Sequence, residues 1–253
     1  MELPVSGPGF RLSRLIVDEL PAVAGSCRIG GAEAAHASAR RLRRGDRVVL
    51  IDGSGREAVG RIAARGARSL DVAVESIAEA PPDAVAAITL AVSAVRAERL
   101  AWVAEKATEL GVARLVIVRS ERTQTFRAGE GVTSRLEHIV REAAKQSERA
   151  RWPAIDGPIA LAAYLASEAA DAGNRLVLDS RGEPFPSALP ALPTALLIGP
   201  EGGWSEEDLA AVLSAGWSVA SLAAGVLRAE TAAVAALALA RSALARGPSS
   251  LSR

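Results

Sequence analysis

The alternation of apolar runs with helical-period segments after Pro81-Pro82 is the feature that most constrains the fold. Residues 88–92 form a short, largely apolar run typical of a buried strand, and the segment that follows repeats apolar side chains at helical spacing until Gly111. Further apolar runs fall at 115–118, 176–178, 195–198 and 219–222, and further helical segments at about 134–149 and 230–245. The pattern predicts an α/β fold with a mostly parallel sheet and helices on both faces.

Residues 1 to about 78 have a different texture. Short β-type runs are separated there by turns, among them Asp52-Gly53-Ser54-Gly55 between the runs 47–51 and 57–62. An Asp-Gly turn between two such runs is typical of a hairpin, so this region predicts a small antiparallel barrel or sheet. We therefore expect two domains, a β domain over residues 1–78 and an α/β domain over residues 79–253.

The amino-acid composition bears on whether the protein needs cross-links, binds a metal or enters a membrane. The chain has 253 residues, of which 49% are hydrophobic, enough to bury a core without cross-links. Its single cysteine excludes an internal disulfide, and one cysteine with two histidines leads us to expect no metal site. Because there is neither an export-signal pattern nor an apolar run of about 18 residues, we expect a cytoplasmic protein that does not enter the membrane.

Arginine is concentrated in one stretch of the chain. The net charge is only +1, but residues 28–68 hold ten arginines against four acids. Such a local excess of positive charge is typical of a surface that faces phosphate groups. The alternative is a solvated arginine-rich face in a chain that uses arginine in preference to lysine.

The segment Gly199-Pro200-Glu201-Gly202-Gly203 directly follows the apolar run 195–198. In an open α/β sheet, ligands bind where strands end, and glycines let the backbone turn sharply and approach a ligand. Ser205, followed by three acids, is a typical helix start. The glycine spacing fits neither the dinucleotide fingerprint nor a P-loop, and the acids disfavour phosphate, so a neutral or cationic ligand is predicted. A plain strand–turn–helix connection is the alternative.

A second loop follows the next apolar run and spans residues 223–231. Arg228 and Glu230 cannot both be buried there without partners, because an unpaired buried charge is very costly. A ligand site or an interface would supply those partners. The helix that follows is apolar nearly all round over residues 231–240, which predicts burial on several sides, against the sheet or a second subunit.

Three segments carry a resemblance to a known family: LLIGPEGGWSEEDL at 196–209, VLRAETA at 226–232 and EAAKQSER at 142–149. Together they resemble the bacterial 16S ribosomal RNA methyltransferases that modify N3 of a uridine in the small ribosomal subunit, which belong to the SPOUT superfamily. The resemblance implies a PUA-like β-barrel that binds RNA, then an α/β domain whose carboxyl-terminal segment forms a trefoil knot. It also implies a homodimer and S-adenosylmethionine as cofactor.

The resemblance indicates where the cofactor would bind, and the chemistry of uracil N3 suggests roles for single residues. Backbone groups of the two loops would hold the cofactor, and Arg228 would stabilise the uracil anion with its planar set of donors. Glu201 or Glu230 would act as base, pair with Arg228, or contact the cofactor. The cofactor-binding residues would be Leu178, Ile198, Gly199, Pro200, Glu201, Gly202, Gly203, Leu222, Ala223, Gly225, Val226 and Leu227.

Candidate RNA contacts fall in two places. Glu142, Gln146 and Arg149 have the spacing i, i+4 and i+7, which predicts one helical face for substrate or dimer contact. Gln146 and Arg149 are therefore candidates, although ordinary polar contacts on a helix surface are the alternative. The candidates for phosphate contact are Arg11, Arg14, Arg40, Arg41, Arg43, Arg44 and Arg47.

One stretch departs from the family pattern. Where relatives commonly read Leu-Gly-Pro-Arg, this chain has Leu222-Ala223-Ala224-Gly225, and Ala229 stands where a threonine is common. Two other functions stay open, the second of them because of this departure. One is a related knotted methyltransferase that acts on a ribose 2′-hydroxyl or on transfer RNA. The other is a catalytically silent RNA-binding or assembly factor that keeps the fold.

Overall fold

The computed structural model describes residues 12–81, 87–93, 95–123, 131–167, 170–222 and 225–247. The chain divides into two compact units: the first combines Met1–Pro81 with Ala144–Arg151, and the second combines Pro82–Ala143 with Trp152–Arg253. The predicted division after residue 78 stays a prediction. It assigns residues 144–151 to the second domain, whereas they belong to the first unit.

The first unit is built on a five-stranded sheet and one helix. Its elements are β1 (Ser13–Ile16), β2 (Gly25–Gly30), α1 (Gly31–Ala39), β3 (Arg47–Ile51), β4 (Arg56–Arg65) and β5 (Ser69–Glu79), with the strand order β1-β3-β4-β5-β2. Neighbouring strands are antiparallel except for β1 and β3, which are parallel. The predicted hairpin is present as β3 and β4.

The second unit holds a six-stranded sheet whose described neighbours are all parallel. The strands are β6 (Ile88–Ser93), β7 (Arg114–Arg119), β8 (Ala154–Ala160), β9 (Asn174–Pro184), β10 (Thr194–Ile198) and β11 (Ser218–Ser221), in the order β11-β9-β10-β6-β7-β8. The helices of this part of the chain are α2 (Ala97–Glu109), α3 (Val132–Gln146), α4 (Leu161–Leu165), α5 (Glu206–Ser214) and α6 (Ala229–Arg246). The predicted parallel sheet is confirmed.

Apolar side chains cover both faces of this sheet, because successive residues of a strand point to opposite sides. In β10, Leu196 and Ile198 join a buried cluster with residues of α2 and α6. Ala195 and Leu197 join a second cluster with residues of α4 and α5. Helices therefore lie on both faces, as predicted, and burial on both faces explains why the strands read as continuous apolar runs.

The strand order changes direction at β10. The strands β6, β7 and β8 follow one another towards one edge, whereas β9 and β11 lie on the other side of β10. In open α/β sheets, ligands bind at the carboxyl ends of the strands where the order reverses. The segment 199–203 directly follows β10, so it leaves the sheet where a ligand site is expected.

The helix predicted over 134–149 is shorter than expected at its carboxyl end. α3 ends at Gln146, because Glu148 adopts a left-handed φ of 59° and the Arg149 amide closes a 2.8 Å hydrogen bond five residues back along the chain. Arg149 therefore lies beyond the helix. The prediction that Glu142, Gln146 and Arg149 share one helical face is wrong.

The alanine-rich helix α6 packs against β6, β10 and α2. This confirms its predicted burial against the sheet, while Leu239 on its outward side is 44% exposed. Burial against a second subunit stays a prediction. Within the described ranges, no helix is long and apolar enough to cross a membrane.

Candidate active site

The turn after β10 is fixed by its own residue types. The Gly203 amide donates to the Pro200 carbonyl at 2.9 Å, and Gly203 has a φ of 70°, which glycine adopts without strain. The Ser205 hydroxyl accepts a hydrogen bond from the Asp208 amide at 3.0 Å and so begins α5. The predicted helix start is confirmed.

A buried tryptophan connects this turn to the neighbouring strand β9. Trp204 is 3% exposed, and its indole nitrogen donates to the Leu178 carbonyl of β9 at 3.1 Å. A Cβ atom on Gly199 would lie 2.9 Å from the indole, so the close approach requires glycine there. Sequence reasoning missed Trp204, because an aromatic residue in a loop gives no local signal of where it packs.

Two residues of the connection after β7, Glu121 and Arg122, stabilise the turn after β10. The Arg122 guanidinium donates to the carbonyls of Gly202 and Trp204, both at 3.3 Å. The Glu121 amide donates to the Asp208 carboxylate at 3.0 Å. The carbonyl groups of Gly202 and Trp204 thus have a protein partner, which stabilises the conformation of the turn.

A cavity of about 320 Å³ opens at the carboxyl ends of β10 and β11 and beside residues 178–180 in the middle of β9. Every predicted cofactor-binding residue that the structure describes lines it, whereas Ala223, like Ala224, lies outside the described residues. The predicted members of the lining are Leu178, Ile198, Gly199, Pro200, Glu201, Gly202, Gly203, Leu222, Gly225, Val226 and Leu227. The members that sequence reasoning missed are Asp179, Ser180, Trp204, Ala220, Ser221, Ala229 and Ala232.

The charge of this lining has one sign. Among the described residues that form it there is no lysine, arginine or histidine, but there are two carboxylates, Asp179 and Glu201. The volume is in the range that small-molecule ligands occupy. Such a surface disfavours phosphate and favours a neutral or cationic ligand, in agreement with the expectation from the loop sequence. Within the described ranges, no group of three or more potential metal ligands occurs.

Arg181 holds Asp179 in the cavity wall. The Asp179 carboxylate accepts hydrogen bonds from Nε of Arg181 at 2.9 Å and from its Nη2 at 3.1 Å, and Arg181 also pairs with Glu206 at 2.7 Å. The Arg181 guanidinium holds the pKa of Asp179 below its usual value, against the opposing effect of burial. Asp179 is therefore held ionised in the cavity wall, with Arg181 as its counter-charge.

The two predicted glutamates meet an arginine that sequence reasoning missed. Arg99, in the first turn of α2, hydrogen-bonds to Glu201, and its Nε lies 3.6 Å from Oε1 of Glu230. The suggested pairing of either glutamate with Arg228 is therefore replaced by pairing with Arg99. Because Arg99 and Glu201 are 102 positions apart along the chain, no local pattern connects them.

Arg228 is the N-cap residue of α6, and its side chain is exposed. Its sequence neighbours Leu227 and Ala229 both line the cavity. Within the described part of the chain, its guanidinium has neither an ion pair nor a hydrogen bond. An unpaired cation next to a cavity that lacks basic lining residues is available to an anion.

The predicted phosphate contacts of the first unit include a set of exposed arginines without an ion pair to any described acid. Other arginines of the same stretch are paired: Arg28 with Asp71 at 3.8 Å and Arg61 with Glu75 at 2.8 Å. We call the unpaired set the unpaired arginine surface. It consists of Arg40, Arg41, Arg43, Arg44 and Arg47.

The remaining RNA candidates lie elsewhere. Arg14 is only 8% exposed and pairs with the Glu57 carboxylate, so its charge is already compensated and it is removed from the phosphate-facing set. Arg11 lies outside the described residues. Gln146 is exposed and Arg149 is partly buried, and their contact with RNA stays a prediction.

Family models match both parts of the chain. Residues 82–241 match a model described as an RNA methyltransferase domain, and residues 29–75 match one described as an RNA methyltransferase PUA domain. The first match includes both loops that line the cavity. The second includes the whole unpaired arginine surface.

Similar proteins agree with these matches. The ribosomal RNA small subunit methyltransferase E of Mycobacterium bovis is 33% identical over 87% of this chain and 88% of its own length. A protein of Porphyromonas gingivalis described as a probable rRNA-methyltransferase has a TM-score of 0.82 and 28% identity, over 93% of this chain and 99% of that one. A Legionella pneumophila methyltransferase, solved with bound SAM, has a TM-score of 0.81 and 26% identity, over 91% and 97%. The resemblance and the fold class are confirmed: this chain belongs to the RNA methyltransferase family, with a PUA domain preceding the methyltransferase domain.

Proposed function

We propose that this protein transfers a methyl group from S-adenosylmethionine to N3 of a uridine in the 16S rRNA of the small ribosomal subunit. Two comparisons support the proposal: curated relatives bear the name ribosomal RNA small subunit methyltransferase E, and the similar Legionella structure contains SAM. The observation that carries the proposal is the cavity, which two motif-bearing loops line without a basic side chain among the described residues.

The cavity suits this cofactor because S-adenosylmethionine has a sulfonium cation and no phosphate. Backbone groups of residues 199–203 and 222–227 would hold its adenosine and methionine parts, with Leu178 at the wall. The described lining holds no basic side chain that would repel a cation, and its two carboxylates, Asp179 and Glu201, have Arg181 and Arg99 as counter-charges. When bound, the cofactor supplies an electrophilic methyl group.

Arg228 would stabilise the nucleophile. Uracil N3–H is a weak acid whose anion spreads its charge over O2 and O4, so a planar multiple donor lowers the cost of losing the proton. Arg228 is exposed, has no described partner, and caps the positive end of α6. A base role for Glu201 or Glu230 stays a prediction, and their contacts with Arg99 compete with it.

RNA would be bound through its phosphates by the unpaired arginine surface, and the target base would leave its stack to reach the cavity. In this proposal residues 1–78 bind RNA and residues 79–253 carry the chemistry. The homodimer and the trefoil knot remain predictions from the resemblance.

The test uses purified small ribosomal subunits that lack their native modification. They are incubated with the protein and S-adenosylmethionine labelled in its methyl group. The RNA is then digested, and the nucleoside that carries the label is identified. The expected product is 3-methyluridine in 16S rRNA. A 2′-O-methylated nucleoside, or label that enters only transfer RNA, would reassign the substrate. Cofactor binding by calorimetry without transfer to any RNA would favour the silent RNA-binding factor, and no cofactor binding would overturn the proposal.

A further inference from the structure

One arginine connects the two loops of the cavity without lining it. Arg99 extends from α2, hydrogen-bonds to Glu201 in the loop after β10, and approaches Glu230 at the start of α6. Its side chain is 27% exposed, against 41% for Glu201 and 13% for Glu230. Three segments that are far apart in sequence therefore share one guanidinium group.

Glu230 depends on this arginine for charge compensation. Its Oε2 atom is buried and has no hydrogen-bond partner among the described residues, and Arg99 is the cation that the structure brings to its other oxygen. A mostly buried carboxylate is costly without such a partner. The planar guanidinium offers several donors in fixed directions and serves two carboxylates at once, whereas a lysine ammonium is a compact point charge.

Both partners of Arg99 are linked directly to the cavity. Glu201 lines it, and Glu230 lies in the first turn of α6 between the lining residues Ala229 and Ala232. We propose that Arg99 is a positioning residue that sets the spacing between the loop after β10 and the start of α6, and thereby the fit of the cavity to S-adenosylmethionine. The inference rests on the proposed function, since it names a determinant of the same cofactor site.

The same helix offers a matched control. Lys106 of α2 also pairs with two glutamates, Glu105 and Glu109, each at 2.8 Å, and its side chain is 30% exposed. None of these three residues lines the cavity. Replacing Lys106 removes a comparable ionic arrangement from α2 and leaves the two loops untouched.

The experiment is calorimetric titration of the full chain with S-adenosylmethionine and, separately, with S-adenosylhomocysteine. Arg99→Met should weaken both ligands about tenfold, the combined value of two partly exposed ion pairs. Arg99→Lys should fall between Arg99→Met and the unchanged protein, and Lys106→Met should stay within about twofold. Because Arg99 acts through Glu201, adding Glu201→Gln to Arg99→Met should weaken the binding of S-adenosylhomocysteine, which carries no sulfonium charge, no further than Arg99→Met does alone.

Two results would overturn the positioning role. The first is that Arg99→Met binds both ligands with an affinity within about twofold of that of the unchanged protein, when the unchanged protein does bind S-adenosylmethionine. The second is a weaker binding of only one of the two ligands, which would mean that Arg99 tunes charge at the sulfonium instead of loop spacing. If Arg99→Met does not fold, Arg99→Lys with both ligands and Glu201→Gln with S-adenosylhomocysteine carry the same test. If the unchanged protein binds neither ligand, the proposed function fails first and the inference with it.

Discussion

Two sets of arginines, one on each unit, are used in opposite ways. On the first unit, the unpaired arginine surface exposes guanidinium groups that form no ion pair with a described acid. On the second unit, Arg99, Arg122 and Arg181 are each engaged by carboxylates or carbonyls, and no arginine is part of the described cavity lining. Engaged arginines fix loop geometry, whereas unpaired ones are available to phosphate. The contrast separates a surface suited to RNA from a cavity suited to a cofactor without phosphate.

Arg228 breaks this contrast, since it is an unpaired arginine on the second unit, and replacing it should have the largest effect. Arg228→Ala should lower methyl transfer about a hundredfold or more, because it removes a charged donor from the developing uracil anion. Calorimetry should show cofactor affinity within about twofold of the unchanged protein. Arg246→Ala, at the other end of α6, is the control and should keep full transfer. Intact transfer in Arg228→Ala would remove this residue from the mechanism.

Neutralising the unpaired arginine surface tests the first unit directly. Arg41→Gln, Arg43→Gln and Arg44→Gln together should weaken RNA binding by about tenfold or more and reduce the slope of log affinity against log salt by about 2, because three phosphate contacts are lost. Filter binding across a salt series measures both quantities. Arg61→Gln, which removes an arginine already paired with Glu75, should change the slope by less than about 1. Equal slopes for the triple variant and the unchanged protein would refute the RNA role of this surface.

The cavity loop is predicted to be sensitive to shape at one glycine and tolerant at another. Gly199→Ala should lower the free energy of unfolding by about 1–3 kcal/mol, because the new Cβ atom would lie 2.9 Å from the Trp204 indole. Gly202→Ala is the matched control, since the nearest atom belongs to the Arg122 side chain at 3.9 Å. It should cost less than about 0.5 kcal/mol. Urea unfolding measures both variants, and equal stabilities would contradict the close packing of Trp204.

The smallest predicted effect is at Arg41, where one substitution tests the contribution of the side chain to RNA binding separately from its contribution to stability. Arg41 has a φ of 56° at the end of α1, where the Leu42 amide bonds to the Ala37 carbonyl at 3.0 Å, an ending that usually favours glycine. Arg41→Gly should therefore leave the free energy of unfolding unchanged or raise it by up to about 1 kcal/mol. The same variant should lower the salt slope of RNA binding by less than about 1. A clear loss of stability would contradict the left-handed cap.

Local patterns explain which elements could be predicted. β6, β7 and β10 could be read because strands buried on both faces give continuous apolar runs. β9 was predicted only over 176–178, since its continuation to Pro184 is mostly polar. β8, at the edge of the sheet, was missed, because glycine and proline interrupt its apolar residues. The parallel pairing of β1 with β3 has no sequence signal, as strand order depends on contacts between distant segments.

In the candidate site, too, some features follow from local sequence and others depend on tertiary contacts. Sequence alone determined the two loops, the starts of α5 and α6 and the absence of a phosphate-binding pattern, because turns, helix caps and charge signs depend on neighbouring residues. Only the tertiary structure decided that Arg99 joins Glu201 to Glu230, that Trp204 closes on Gly199, and that Arg14 is buried against Glu57. These contacts join segments that only the folded chain brings together, and each is selected by geometry and by the cost of an unpaired charge.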